Sequence, residues 1–216
     1  LHWTADGRLN ASSGHINTSS VWRSGGGFSQ RYGKFEVRAR VPGAPGISPA
    51  MWMMPDDATV CWPAGGEIDI AETTCTGGQN PGGVPRFAWG PLHYSSAGEC
   101  GAGPHHKAAS GYWPCKYGEK SCHPTTNLAD AFHTYTVVWT PDKLEWMIDG
   151  DLYFSTNSTV EQIPTRPFYF ILQAALVLNP EYHTRFDPAR YPVSFLAVSY
   201  THLRAHETDS YLVCRL

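Results

Sequence analysis

Apolar and polar residues alternate along much of this chain with the two-residue period of β-strands. Over residues 28–41, apolar side chains occupy every second position from Phe35 to Val41, with charged residues between them. Since residues i and i+2 of a strand point to the same side, this pattern predicts a half-buried strand. Similar patterns predict a strand at residues 50–54, a hairpin over residues 133–149 and a buried strand at residues 167–178. With no amphipathic helix or internal repeat in the pattern, we predict one all-β domain.

The connecting segments carry many turn residues. Residues 1–23 alternate weakly and are predicted to form outer strands. Residues 73–128 show little periodicity and contain many Gly, Pro and Cys residues. Long loops in a compact domain usually have a function, so we expect this segment to form a wall of a binding groove.

An acidic strand is predicted within the segment Gly-Gly-Glu-Ile-Asp-Ile-Ala-Glu, residues 65–72. In an extended chain Glu67 and Asp69 share one face, and the isoleucines between them take the other. Glu72 would then fall on the isoleucine face. A β-bulge at residues 70–71 adds one residue and returns Glu72 to the acidic face.

Carboxylates on one face raise each other's pKa, and unequal environments let one act as an acid while another acts as a base. A solvated acidic edge strand is the alternative interpretation. The isoleucines on the opposite face, the flanking Gly-Gly and Thr-Thr-Cys and the many aromatic residues that follow favour a catalytic strand.

The same segment resembles the signature of glycoside hydrolase family 16 in its bulged, laminarinase-type form. Segments at residues 32–40, 48–55, 92–94, 132–150 and 167–169 resemble other parts of the family in the same order. The resemblance implies an antiparallel β-sandwich of the jelly-roll, concanavalin A-like type, with a substrate cleft on its concave face. It also implies a retaining endo-acting hydrolase of β-1,3-glucan or mixed-linkage β-glucan.

Residue roles follow from the same resemblance. Glu67 would be the nucleophile, Glu72 the general acid and base, and Asp69 a partner placed between them to tune both. The bulge argues against the xyloglucan transglycosylase branch, whose signature lacks the extra residue. A transglycosylase with the same intermediate, or a β-glucan-binding protein on the same fold, remains an alternative.

Four further residues are candidates for contact with substrate. The resemblance places a histidine, an aromatic ring and an amide near the cleft, and a loop tryptophan could stack on a sugar. These candidates are His93, Trp52, Gln173 and Trp62. Trp89 and Trp113 are expected in loops, and Trp139 and Trp146 are expected to be structural.

Some residues depart from the family pattern. Ser48 stands where many relatives have a tryptophan, and residues 174–178 replace a run that contains Gly-Gly, so one stacking platform and the cleft floor are in doubt. Groups near the chain ends often bind calcium in the family, and those ends differ here. We therefore expect no metal site, and no cofactor is implied.

Composition narrows the range of partners. The formal net charge of −3 gives no reason to expect binding to nucleic acid, an anionic membrane surface or a sulfated polysaccharide. No apolar run is long enough to span a bilayer. We expect a monomer that binds a neutral polysaccharide.

Cysteines and glycosylation sequons suggest the compartment. The chain has six cysteines without a metal-type Cys-x-x-Cys pair, and we expect disulfides whose pairing is open. Sequons begin at Asn10, Asn17 and Asn157. Both features predict a secreted glycoprotein.

The C-terminal residues 198–216 do not resemble the family. They look like the frame translation of a transposase-end adapter, which predicts a non-native tail; a natural divergent tail is the alternative interpretation. We therefore expect the catalytic domain to occupy residues 1–197, truncated at both ends, and to lack a final strand.

Overall fold

The computed structural model describes residues 2–3, 9–10, 12–21, 26–73, 84–114, 124–177, 188–203 and 212–214. Its strands are β1 (His2–Trp3), β2 (Leu9–Asn10), β3 (Gly14–Asn17), β4 (Ser29–Gln30), β5 (Gly33–Arg40), β6 (Ile47–Pro55), β7 (Glu67–Thr73), β8 (Ala88–Ser95), β9 (His106–Trp113), β10 (His133–Trp139), β11 (Lys143–Ile148), β12 (Asp151–Asn157), β13 (Phe168–Leu176), β14 (Leu196–Leu203) and β15 (Leu212–Cys214). A 3-10 turn spans Pro188–Arg190. Within these ranges, no helix has the length and apolar character needed to cross a membrane.

The strands form a β-sandwich, as predicted. One six-stranded sheet has the order β12-β11-β10-β5-β14-β15. The facing seven-stranded sheet has the order β3-β13-β6-β7-β8-β9, with β4 also paired to β13. A separate pair joins β1 and β2. Neighbouring strands are antiparallel, which leaves the outer face of each sheet available to solvent.

The core lies between the two sheets and follows the alternation in the sequence. Phe35, Val37 and Ala39 of β5 are fully buried, and the residues between them are only partly buried or exposed. Trp139 and Trp146 are also fully buried, so their predicted structural role is confirmed. The predicted hairpin is present as β10 and β11.

Strands β8 and β9 correct the prediction that residues 73–128 form a long loop. They pair with each other over their whole length and extend the seven-stranded sheet beyond β7. The sequence pattern missed them because β8 contains Gly90 and Pro91, and β9 mixes polar with small residues and has no buried position. Residues 74–83 and 115–123 of the expected groove wall lie outside the described residues.

Strand β14 occupies the place where we expected the domain to lack a final strand. It lies beside β5, with pairs from Leu196 opposite Arg40 to Leu203 opposite Lys34. The six-stranded sheet therefore continues past β5. The proposed boundary at residue 197 stays a prediction.

Candidate active site

A β-bulge in β7 determines which side chains face outward. Against β6, Asp69 pairs with Trp52 and Ala71 pairs with Met51, so Ile70 is the extra residue. Ile68, Ile70 and Ala71 are buried in the core. Glu67, Asp69 and Glu72 therefore share the outer face of the seven-stranded sheet, which we call the cleft face. The predicted bulge is confirmed.

The carboxyl group of Glu67 is largely removed from solvent. Burial raises its pKa from 4.5 to about 7, and the nearby charge of Glu72 acts in the same direction. Two hydrogen bonds oppose this rise in the pKa: one from the indole N–H of Trp62 to Oε2 and one with Asp69. The Trp62 bond measures 2.5 Å. Glu67 therefore titrates near neutral pH. Trp62 in a loop and Asp69 on the same strand hold its carboxyl group in position.

Asp69 is the most deeply buried of the three acids, with 1% of its surface exposed. Burial and the charges of Glu67 and Glu72 raise its pKa well above the usual range. Its main-chain carbonyl accepts a 2.7 Å hydrogen bond from the indole of Trp146, which reaches across from the other sheet. Because a bulge interrupts the ladder hydrogen bonds, this indole supports the backbone where the strand is irregular.

Glu72 lies directly opposite Trp89 in the pairing of β7 with β8. The indole N–H of Trp89 donates to Oε2 of Glu72 at 2.8 Å. Burial raises the pKa of Glu72, and the Trp89 hydrogen bond opposes that rise. Each glutamate of the site therefore has its own indole donor.

A histidine pair borders the acids. His93 Nε2 lies 3.7 Å from Asp69 Oδ2, and His93 Nδ1 lies 3.0 Å from Nε2 of His106. The two imidazoles stack with 5.2 Å between centroids, and Trp62 packs on His106 at 4.8 Å. Burial and the neighbouring His106 lower the pKa of His93 to about 4, so the His93 ring is neutral at pH 7.

The remaining candidate residues lie on the other side of the acids. Trp52 is paired with Asp69, and Gln173 is paired with Ala50, which in turn faces Glu72. His15 of β3 extends this row, with Nδ1 3.4 Å from Oε1 of Gln173. The cleft face therefore brings together all the catalytic and substrate-binding candidates that the sequence suggested.

The sequence predictions misplaced two tryptophans, Trp89 of the cleft face and Trp113 beside the core, and missed two cleft histidines. Trp89 and Trp113 belong to β8 and β9, so their predicted position in loops is wrong. His106 and His15 were not identified as candidates. Only the strand pairing reveals them, because β9 and β3 are distant in sequence from the acidic strand.

One group of possible metal ligands is present in the described parts of the chain. Donor atoms of Glu67, Asp69 and His93 lie within 4.8 Å of one another. Glu67 already accepts a hydrogen bond from Trp62. His93 already lies within hydrogen-bonding distance of His106. We assign no ion to this group, and the expectation of no metal site stays a prediction.

Comparison with known proteins gives consistent matches. A sequence model described as glycosyl hydrolases family 16 matches residues 4–177. Glucan endo-1,3-beta-glucosidase A1 of Niallia circulans is 30% identical over 84% of this chain and 24% of its own length. A beta-1,3-glucan-binding protein of Penaeus monodon is 33% identical over 69% of this chain and 38% of its own length.

Solved structures agree with the fold. The laminarinase of Flavobacterium sp. UMI-01 superposes with a TM-score of 0.58 at 26% identity, covering 88% of this chain and 78% of that one. The chain spans between 24% and 38% of the length of the two curated relatives.

Proposed function

Since this chain belongs to glycosyl hydrolases family 16, we propose that it is a retaining, endo-acting hydrolase of β-1,3-glucan or mixed-linkage β-glucan. The observation that carries the proposal is the bulge in β7, which brings Glu67, Asp69 and Glu72 to one face. Burial raises the pKa of all three groups, which suits proton transfer near neutral pH.

Glu67 and Glu72 would divide the chemistry. Ionised Glu67 attacks the anomeric carbon, while protonated Glu72 gives its proton to the glycosidic oxygen as the bond to the leaving sugar breaks. In the second step Glu72, now ionised, takes a proton from water, and that water releases the sugar from Glu67. Two inversions at one carbon give net retention.

Asp69 and His93 would support Glu67 without touching the reacting bond. Asp69 shares a hydrogen bond with Glu67 and is buried beneath the site. A protonated Asp69 can donate to Glu67, which favours the ionised nucleophile. The neutral ring of His93 adds no positive charge beside Asp69.

The substrate would be a neutral polysaccharide that crosses the cleft face. Indole rings of Trp52, Trp62 and Trp89 surround the acids and offer apolar surfaces for sugar rings. The relative from Niallia circulans acts, by its name, on 1,3-beta-glucan. That match supports the same linkage here.

A second candidate function is binding of β-1,3-glucan without hydrolysis. It is favoured by the match to the Penaeus monodon protein, whose name describes glucan binding. The retained carboxylates Glu67, Asp69 and Glu72 favour hydrolysis instead.

Reducing-sugar release separates the two candidates. We expect release from laminarin and mixed-linkage β-glucan, but not from cellulose or agarose. Release should fall by at least about 1000-fold in Glu67→Gln, because removing a nucleophile costs catalysis several kcal/mol. Glu145→Gln, on a strand of the opposite sheet, is the matched control. A folded protein that binds laminarin but releases no sugar from any of these glycans would establish the binding function instead.

We also propose that the protein acts outside the cell as a monomer. The disulfide between Cys61 and Cys100 and the exposed sequon at Asn157 support an oxidising compartment. Light scattering after size-exclusion chromatography tests the monomer, and detection in the culture medium of the source organism tests secretion. A dimer mass, or retention inside the cell, would contradict the respective proposal.

A further inference from the structure

The indole of Trp89 is held in a fixed position beside the carboxyl group of Glu72. The two residues are directly opposite each other across β7 and β8, immediately beyond the bulge. Directly opposed side chains on one face of an antiparallel pair are close neighbours. The 2.8 Å hydrogen bond from the indole N–H to Oε2 is therefore set by strand register and needs no flexible loop.

The indole is itself held in place. Its ring lies 6.2 Å from the ring of Tyr112, the residue paired with it on β9. The next residue, Gly90, packs closely against Trp146 of the opposite sheet. Both contacts restrict the movement of β8 at this position.

The chemistry of an indole gives the contact a direction. An indole N–H donates a hydrogen bond but neither accepts one nor titrates near neutral pH. The carbonyl oxygen of a protonated carboxyl group is a stronger acceptor than its hydroxyl oxygen, so the oxygen that accepts this bond is a poor place for the carboxyl proton. A protonated Glu72 therefore carries its proton on Oε1.

We propose that Trp89 is a positioning residue that directs the transferable proton of Glu72 to Oε1 and holds that carboxyl group in its reactive orientation. This inference rests on the proposed hydrolase function. In the first step the proton leaves Oε1 for the glycosidic oxygen as the carbon–oxygen bond breaks and Glu67 bonds to the anomeric carbon. In the second step Oε1 takes a proton from the attacking water, whose oxygen bonds to the anomeric carbon as the bond from that carbon to Glu67 breaks.

The same hydrogen bond strengthens when Glu72 is ionised, since charge-assisted bonds exceed neutral ones. Other titratable groups also lie on the cleft face around Glu72. They are Glu67 and Asp69 on β7, His93 on β8, His106 and Tyr112 on β9, His15 on β3 and Tyr169 on β13. Trp89, which does not titrate near neutral pH, donates directly to the Glu72 carboxylate. Its removal should shift the alkaline limb of the pH–rate profile to higher pH.

Trp89→Phe keeps an aromatic ring but removes the N–H. With laminarin we expect kcat to fall by about 10- to 100-fold with little change in KM, because a lost positioning bond acts in the transition state. With a 2,4-dinitrophenyl laminarioside, whose leaving group needs no proton, the glycosylation rate should fall less than about 3-fold. Trp113→Phe, on β9, is the matched control.

Equal losses on both substrates, or an unmoved alkaline limb, would overturn the inference and leave Trp89 as a packing residue. A second measurement is independent of turnover. In protein with ¹³C-labelled glutamate carboxyls, the Glu72 resonance should titrate at higher pH in Trp89→Phe than in the parent, and an unchanged titration would also overturn it. A parent protein that hydrolyses neither substrate contradicts the proposed function, while the ¹³C titration still decides the role of Trp89.

Discussion

At the scale of single residues, the three buried acids of the site lower the stability of the fold. Glu67, Asp69 and Glu72 are buried close together, and each has a raised pKa. Burying carboxyl groups near one another disfavours their ionised forms, including the ionised Glu67 that the proposed hydrolysis requires. The site therefore keeps an arrangement that a purely structural strand would avoid.

Glu67→Gln should make the protein more stable near neutral pH. The folded Glu67 holds its proton up to about pH 7, whereas the unfolded group loses it near 4.5. Between these values the folded state binds more protons, so the free energy of unfolding falls as pH rises. The variant should lose this dependence and gain up to about 3 kcal/mol at pH 8 relative to the parent.

Urea unfolding at pH 4.5 and pH 8 checks this expectation. The difference between parent and variant should be small at the lower pH and large at the higher one. Glu145→Gln is the control, and a difference independent of pH would contradict the assignment.

At the scale of elements, two glycines determine how closely the sheets approach. Gly90 of β8 and Gly111 of β9 are paired with each other. A Cβ on Gly90 would lie 2.2 Å from Cδ1 of Trp146, and one on Gly111 would lie 2.3 Å from Cβ of Phe154. The rings of Trp146 and Phe154 stack on one another at 4.9 Å. The glycines therefore make room for an aromatic pair beneath the site.

Gly90→Ala should destabilise the fold and damage the site together. The new methyl group would displace Trp146, whose indole supports the Asp69 carbonyl at 2.7 Å. We expect a loss of about 2–4 kcal/mol in the free energy of unfolding, since overpacking a closed core forces side chains to move. Thermal and urea unfolding measure the loss. Gly103→Ala is the control because its Cβ would meet no atom within 4 Å, and equal stability of the two variants would rule out this packing role.

The loop that carries Trp62 is attached to the β8–β9 connection at two points. Cys61 is bonded to Cys100, and the N–H of Gly101 donates to the carbonyl of Trp62 at 2.7 Å. The disulfide closes a chain segment with a sequence separation of 39 residues. Both attachments hold the indole near Glu67.

Replacing both cysteines, as Cys61→Ala with Cys100→Ala, should lower stability by about 2–4 kcal/mol. Activity at a temperature where the variant is folded should also fall, because the Trp62 donor to Glu67 is less well held. Denaturant unfolding and initial rates on laminarin measure the two effects. Unchanged stability and rates in the double variant would mean that the disulfide has no part in holding the loop.

At the scale of the whole molecule, β14 decides whether β5 is an inner or an edge strand. With β14 in place, β5 is paired on both sides, by β10 and by β14. Without it, the backbone of residues 34–40 would be exposed as a sheet edge. Exposed edges invite association with other chains.

A chain ending after residue 195 should therefore be less stable than one ending after residue 203, by about 3 kcal/mol, since several ladder hydrogen bonds are lost. It should also associate as concentration rises. Urea unfolding and light scattering compare the two truncations. Identical behaviour would show that β14 contributes nothing, in agreement with the prediction that residues from 198 onward are not part of the domain.

The sequence by itself determined the all-β character of the domain and the acidic strand. Alternation of apolar residues is a local signal, and it correctly predicted β5, β6, β10, β11 and β13. The spacing of Glu67, Asp69 and Glu72 also predicted the bulge, because one extra residue is needed to bring Glu72 to the same face as the other two acids. These features depend on near neighbours in the chain.

Only the tertiary structure decided which distant residues meet the acids. Trp89, His106 and His15 reach the cleft face through the register of β8, β9 and β3. Register in these strands depends on packing against the opposite sheet, where Gly90 admits Trp146. A glycine that is needed for the space it leaves adds no apolar side chain to the pattern that predicts strands. For that reason the strands that complete the site could not be predicted from the sequence pattern.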